Sequence, residues 1–217
     1  MSWIIGVDVG GTFTDFCARN NNSGETVIHK RPSTPEDPAI SILNGLDEIK
    51  LKFSQSKKLQ ISRLAHGTTV ATNSLLQRKG GKLALVTTKG FRDLLEIGRQ
   101  VRPSVYDLQV DSPQPLVDRR NRIEVNERID FTGKIIKPIN KNELVLLEKN
   151  IKKLKNIDGI AICLLFSFLN SSHEILIKEK LSKSFPNLPI SISSEVQPEF
   201  REYERFSTTT INAYLQP

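Results

Sequence analysis

At 217 residues, with 38% hydrophobic and 25% charged side chains, the chain is long enough for one large domain or two small ones and has an ordinary soluble composition. The net charge of +7 comes from Lys and Arg spread among Asp and Glu, and only 6% of residues are aromatic, which argues against a nucleic-acid groove. Cys17 and Cys163 lie far apart without metal-ligand spacing, so reduced thiols in a cytoplasmic protein and no zinc site are expected. The most apolar run, 159–168, is too short to span a bilayer, and Asp8 inside the N-terminal apolar run argues against a signal peptide.

Three consecutive strands are predicted at 3–9, 12–19 and 25–30, with a second turn at Asn20-Asn21-Asn22-Ser23-Gly24. Pro32, Pro35 and Pro38 end this sheet, and Ala39, Ile42, Leu46, Ile49 and Phe53 then fall on one helical face. A short strand at 61–65, a helix from Thr68 or Thr69 to near Gly80-Gly81, and a buried parallel strand at 82–87 complete a βββαβαβ order. Between 89 and 138 the pattern is irregular and reads as an insertion of loops and short strands, with a hairpin at Thr132-Gly133. Regular alternation resumes with a helix showing Leu144, Leu147, Ile151 and Leu154, a strand at 159–165, a helix at 171–184, a strand at 188–193 and a last helix at 199–214.

Chemistry concentrates in Val7-Asp8-Val9-Gly10-Gly11-Thr12-Phe13-Thr14-Asp15. A carboxylate in a buried strand is costly to desolvate, so Asp8 needs a partner. The glycine pair allows a tight turn and close backbone approach, and the amides of Gly11, Thr12 and Phe13 with the hydroxyls of Thr12 and Thr14 suit an anion. These features suggest a phosphate at the hairpin turn, with a metal ion beside Asp8.

This pattern resembles the phosphate hairpin of the actin, sugar-kinase and Hsp70 type of ATPase. The string Ile5-Gly-Val-Asp-Val-Gly-Gly-Thr-Phe-Thr-Asp15 resembles the N-terminal domain of the hydantoinase A and 5-oxoprolinase family, of the N-methylhydantoinase A type. Three later strings are similar to the same family, in order: His66-Gly-Thr-Thr-Val-Ala-Thr-Asn73, Gly90-Phe-Arg-Asp93 leading to Glu96-Ile-Gly-Arg-Gln100, and Glu202-Tyr-Glu-Arg205 before Asn212-Ala-Tyr-Leu215. Ser33, Ser171 and Phe206 depart from the usual residues. The implied fold is α/β, an actin-like ATPase (ribonuclease H-like) domain with a mixed sheet flanked by helices. The implied organisation is a phosphate-hairpin core at 1–88, the insertion at 89–138 and a further α/β part at 139–217 ending in a hinge helix, without the second ATPase domain.

The resemblance also implies roles. Asp8 would help hold Mg²⁺ near the transferred phosphate, and Gly10, Gly11, Thr12 and Thr14 would form the cradle of ATP, with Phe13 turned into the core. Asp15 would be a second acidic contributor or a cap of the hairpin. His66 would orient substrate or move a proton, or else be a hydrogen-bonded structural residue; Thr68 and Thr69 would touch substrate or cap a helix. Arg99 or Arg102 would hold a substrate carboxylate or the ATP tail, whereas Asp93 and Glu96 read as an ion-pair network fixing the insertion. Glu199, Glu202, Glu204 and Arg205 read as a solvated helix, and His173-Glu174 as a structural helix start.

The implied activity is ATP-dependent opening of a cyclic amide such as 5-oxoproline or hydantoin by phosphorylation of the amide oxygen, completed by a hydantoinase B-type subunit or fused domain. The isolated chain is expected to be inactive. A subunit of an acetone- or acetophenone-type carboxylase, or an inactive truncated module, are the alternatives; a sugar kinase would lack the later strings.

Overall fold

The computed structural model describes residues 2–34, 36–53, 60–101, 104, 106–107, 109–110 and 113–217. They form two compact units, Met1–Arg78 and Lys79–Pro217. The first contains β1 (Ser2–Val9), β2 (Phe13–Asn20), β3 (Thr26–Pro32), α1 (Pro38–Phe53), β4 (Gln60–Thr68) and α2 (Val70–Leu76). Its mixed sheet has the order β3-β2-β1-β4, with β4 parallel to β1 and the other pairs antiparallel. Alternation in β1 sends Trp3, Ile5, Val7 and Val9 to one face, where they meet Phe16, Ala18, Leu46 and Ile49. The turn after β2 is held by buried Asn20, whose side-chain oxygen accepts from Asn22 N and Ser23 N.

Two predicted boundaries move. β4 continues past 65 because Val7, Asp8 and Val9 pair with His66, Gly67 and Thr68, so these residues lie within a strand. α2 stops at Leu76 instead of reaching Gly80, and Arg78 follows at φ 56°, which a helix does not accommodate.

The second unit contains β5 (Leu83–Thr88), α3 (Leu94–Ile97), a 3-10 turn (Arg119–Asn121), β6 (Arg122–Val125), β7 (Arg128–Ile129), β8 (Ile135–Lys137), α4 (Lys141–Lys153), β9 (Gly159–Cys163), α5 (Ser172–Ser184), β10 (Ile190–Ile192), α6 (Ser193–Val196) and α7 (Glu202–Leu215). The βββαβαβ order is therefore present, but its last strand hydrogen-bonds into an all-parallel sheet of order β10-β9-β5-β6. β5 and β9 are buried at every position, as strands covered on both faces must be. β6 lies within the segment expected to be an irregular insertion, and β7 and β8 form the expected hairpin around Thr132-Gly133. Pro198 separates α6, which periodicity did not indicate, from α7. No helix among the described residues is long and apolar enough to cross a membrane.

Buried charge ties this unit together. Glu174 accepts from Leu164 N at 2.9 Å, Ser193 Oγ at 2.6 Å and Ser194 N at 2.8 Å. Arg205 is fully buried, contrary to the solvated-helix reading, and donates to the carbonyls of Glu199 and Leu164 while lying over Phe168. Burial lowers its pKa from the usual guanidinium range. Helix α7 thus carries a cation inward, to carbonyls at the ends of other elements.

Two substitutions test this packing. In a helix, Gly→Ala normally stabilises by about 1 kcal/mol, but a Cβ at Gly45 would stand 2.1 Å from Phe16 Cζ in the core. Gly45→Ala is expected to lower stability by about 1–3 kcal/mol in urea unfolding; a gain would refute this packing. Glu174→Ala takes the partner from the buried Leu164 amide and the half-buried Ser194 amide, while Ser193 Oγ keeps Ser167 Oγ, and is expected to cost about 2–3 kcal/mol in the same measurement.

Candidate functional site

The face of β1 opposite its core carries Gly6 and Asp8. Asp8 is exposed and pairs in register with Asp15 on β2 and Gly67 on β4. Aligned residues of neighbouring strands share a face. Gly6, Asp8, Asp15, Cys17, Ile28 and Gly67 accordingly border an open cavity of about 450 Å³. A Cβ at Gly67 would stand 3.9 Å from Asp8 Oδ1, so a side chain longer than alanine's would lie against the carboxylate. Asp15 pairs with Lys30 across β2 and β3 at 3.2 Å.

The β1–β2 turn is closed by Gly10 N donating to Phe13 O at 3.0 Å. Its carbonyls are held from behind: Gly10 O accepts from Ser33 Oγ at 2.8 Å and Thr12 O from Ser33 N at 2.9 Å. Gly11 and Thr12 are exposed, and their amides hydrogen-bond to nothing among the described residues. The Asn73 side-chain amide lies 3.6 Å from where a Cβ of Gly11 would be and donates to Thr69 Oγ1. Turn, α2 and Asp8 therefore converge at one end of the sheet.

Several expected site residues serve this arrangement indirectly. Thr14 is fully buried, and its hydroxyl lies 2.9 Å from both Ser33 Oγ and Ser41 Oγ, so it supports the turn from the core side. Phe13 is not turned into the core; it is 44% exposed, with Lys30 Nζ 5.0 Å from its ring centre. Thr68 Oγ1 accepts from Val70 N, and Thr69 N donates to Val9 O, which fixes the start of α2 against the end of β1. His66 borders the cavity, but its register partner is Val7, whose side chain is buried on the other face. Alternation directs the imidazole away from the face of Asp8. Ser41 was not singled out in the sequence reading, Ser33 only as a departure and Gly67 only within a longer string. Ser33 did carry a signal, as a hydroxyl residue just after Pro32.

The arginines belong to the second unit. Arg99 forms an ion pair with Glu204 at 2.5 Å, and Arg102 lies outside the described residues. Asp93 receives two hydrogen bonds from Arg119, at 2.8 and 2.9 Å, which hold its carboxyl below the usual carboxylate range. Buried Arg122 reaches Glu96 at 2.8 Å. These pairs tie α3 to the approach to β6.

Among the described residues no group of three or more His, Cys, Asp and Glu side chains is placed to hold a metal ion. Asp8 facing Asp15 suits a different arrangement, in which Mg²⁺ takes one or two carboxylates and completes its shell with phosphate and water.

Residues 4–185 match the family model described as the hydantoinase/oxoprolinase N-terminal region. A protein of Methanocaldococcus jannaschii is 43% identical over 100% of this chain and 32% of its own length. The acetophenone carboxylase gamma subunit of Aromatoleum aromaticum is 34% identical over 98% of this chain and 31% of its own length. The crystal structure of the ATP-dependent caprolactamase from Pseudomonas jessenii superposes with a TM-score of 0.85 at 32% identity, covering 99% of this chain and 31% of that one. The chain spans about a third of the length of these relatives. The shared extent includes both units, and the chain belongs to the hydantoinase/oxoprolinase N-terminal family.

Proposed function

We propose that the first unit holds the phosphates of Mg²⁺-ATP in an enzyme that opens cyclic amides by phosphorylating the amide oxygen. One observation carries this reading: an exposed carboxylate, Asp8, lies beside a turn whose Gly11 and Thr12 amides are unbonded while its carbonyls are tied back to Ser33. The amides of Gly11 and Thr12 accept the charge that develops on the transferred phosphoryl group, and Asp8 with Asp15 faces the metal. Mg²⁺ would supply charge neutralisation between the phosphates. Resonance makes an amide carbon a poor electrophile and its nitrogen a poor leaving group. A phosphorylated amide oxygen removes the first obstacle, and water then attacks the carbon.

The similarity to a caprolactamase supports a lactam substrate, and a hydantoinase B-type subunit or fused domain would complete ring opening. The similarity to an acetophenone carboxylase subunit favours a second reading, in which the phosphate goes to a ketone-derived oxygen instead. The cytoplasm, with its ATP, is the compartment for either. Thr68 and Thr69 act by seating α2 beside the turn. His66 takes no part in holding phosphate, and Arg99 acts by fastening α3 to α7.

In the complete enzyme with 5-oxoproline, hydantoin or caprolactam, Asp8→Asn is expected to lower kcat about 100-fold or more without changing the melting temperature; undiminished turnover would overturn the assignment. Gly67→Leu is expected to weaken Mg²⁺-ATP binding about tenfold or more by covering Asp8, while His66→Ala leaves it unchanged in calorimetric titration. Thr14→Val is expected to act on stability, by about 1–2 kcal/mol, since it leaves Ser33 and Ser41 without their shared partner.

A further inference from the structure

The second unit has a cavity of its own, about 630 Å³, at the carboxyl ends of its parallel strands. Phe91 follows β5, Arg128 and Ile129 follow β6, and Leu165 and Phe166 follow β9. In open parallel sheets this end is where ligands bind, because the strands stop there and their loops diverge. Aromatic rings of Phe91, Phe131 and Phe166 make much of the wall, and Phe131 is 78% exposed.

Three charged side chains border this apolar space. The Arg128 guanidinium lies over the Phe91 ring at 5.2 Å, and its Nη1 is buried with no hydrogen-bond partner among the described residues. Leaving a buried donor unpaired is costly, and an acceptor brought by a ligand would recover that cost. Asp130 is already engaged, with Oδ1 accepting from Thr132 N, Thr132 Oγ1 and Lys134 N. Glu202, in the first turn of α7, makes no hydrogen bond or ion pair among the described residues. Glu202 also lies near enough to act electrostatically on the Arg205 guanidinium, so one cation and one carboxylate border the cavity without a hydrogen-bond partner for the buried Arg128 Nη1 or for Glu202 among the described residues.

The backbone beneath is firmly held. Leu165 N donates to Thr88 Oγ1 at 3.1 Å, Thr88 donates to Glu127, and the second oxygen of Glu127 lies 2.7 Å from His173 Nδ1, all buried. Phe166 is kept at φ 54°, a conformation that costs an aromatic residue on the order of 1 kcal/mol. A rigid floor, an aromatic wall and two opposite charges describe a pocket formed before its ligand arrives.

We propose that this cavity binds a small amino carboxylate, an α-amino acid with an apolar side chain. The ligand's carboxylate accepts from Arg128 Nη1, its ammonium meets Glu202, and its side chain packs against Phe91, Phe131 and Phe166. A plain acid would leave Glu202 facing an anion, and a plain amine would leave Arg128 unpaired, so the two charges together select a zwitterion.

The test is calorimetric titration of the full chain with L-phenylalanine and L-leucine beside 3-phenylpropionate and 2-phenylethylamine. At least one amino acid is expected to saturate below about 10 mM, with both half-ligands about tenfold weaker or worse. Arg128→Gln and Glu202→Gln should each weaken the amino acid about tenfold or more, with circular dichroism unchanged. Should Arg128→Gln disturb the fold, Glu202→Gln, at a half-exposed helix start, carries the test. The proposal is overturned if neither amino acid saturates, if a half-ligand binds equally well, or if Glu202→Gln binds like the parent chain. It fails independently of the nucleotide site, which lies in the other unit.

Discussion

A short line of hydroxyls holds the β1–β2 turn in the shape on which the candidate site depends. Ser33 Oγ reaches Gly10 O, Thr14 Oγ1 reaches Ser33 Oγ, and Ser41 Oγ reaches Thr14 Oγ1. Each hydroxyl has one proton to give. The protons of Ser33 and Ser41 go to the carbonyls of Gly10 and Pro38, so the single proton of Thr14, lying between them, serves one of the two serines. The line runs from α1 to the turn and draws the carbonyl of Gly10 inward. With the Gly10 and Thr12 carbonyls occupied by one serine, the exposed amides of Gly11 and Thr12 are left for an anion.

Fold and site share one strand by using its two faces. Trp3, Ile5, Val7 and Val9 bury enough apolar surface against α1 to anchor β1, while Asp8, one position out of phase, escapes the desolvation that a carboxylate on the core face would suffer. A one-residue slip of register would exchange these roles, burying Asp8 and exposing valine. Pairing on both sides, antiparallel to β2 and parallel to β4, fixes that register.

The first three strands, the turn between β1 and β2 and the place of Asp8 in β1 were legible because they rest on local chemistry: alternation, a Gly-Gly turn and an acid inside an apolar run. What escaped the sequence reading depends on partners distant in the chain. Thr14 reads like Thr12 until Ser41 is placed behind it, 27 residues on. Arg205 looks like a member of an Arg/Glu-rich solvated helix until Leu164 O receives its guanidinium, 41 residues back. β5 reads as a buried strand in either sheet, and only the pairing of Leu83 with Gly159 and of Leu85 with Arg122 assigns it to the second unit. Periodicity gives the type of an element, whereas pairing decides which core it joins.

The second unit meets the cost of its parallel architecture with buried charge. Parallel strands end together, so backbone donors and acceptors collect at one edge and need partners. Glu174 satisfies two amides there, Thr88 another, and Arg205 a carbonyl. Glu174 is engaged on both oxygens, which makes its charge compatible with a well-packed core. Arg128 stands at the same edge; its buried Nη1, like Arg205 Nε, has no hydrogen-bond partner among the described residues, although its neighbour Glu127 is satisfied on both oxygens. Arg205 still spends its two terminal nitrogens on carbonyls, whereas the Arg128 guanidinium meets only the Phe91 ring among the described residues and is left for something outside the fold.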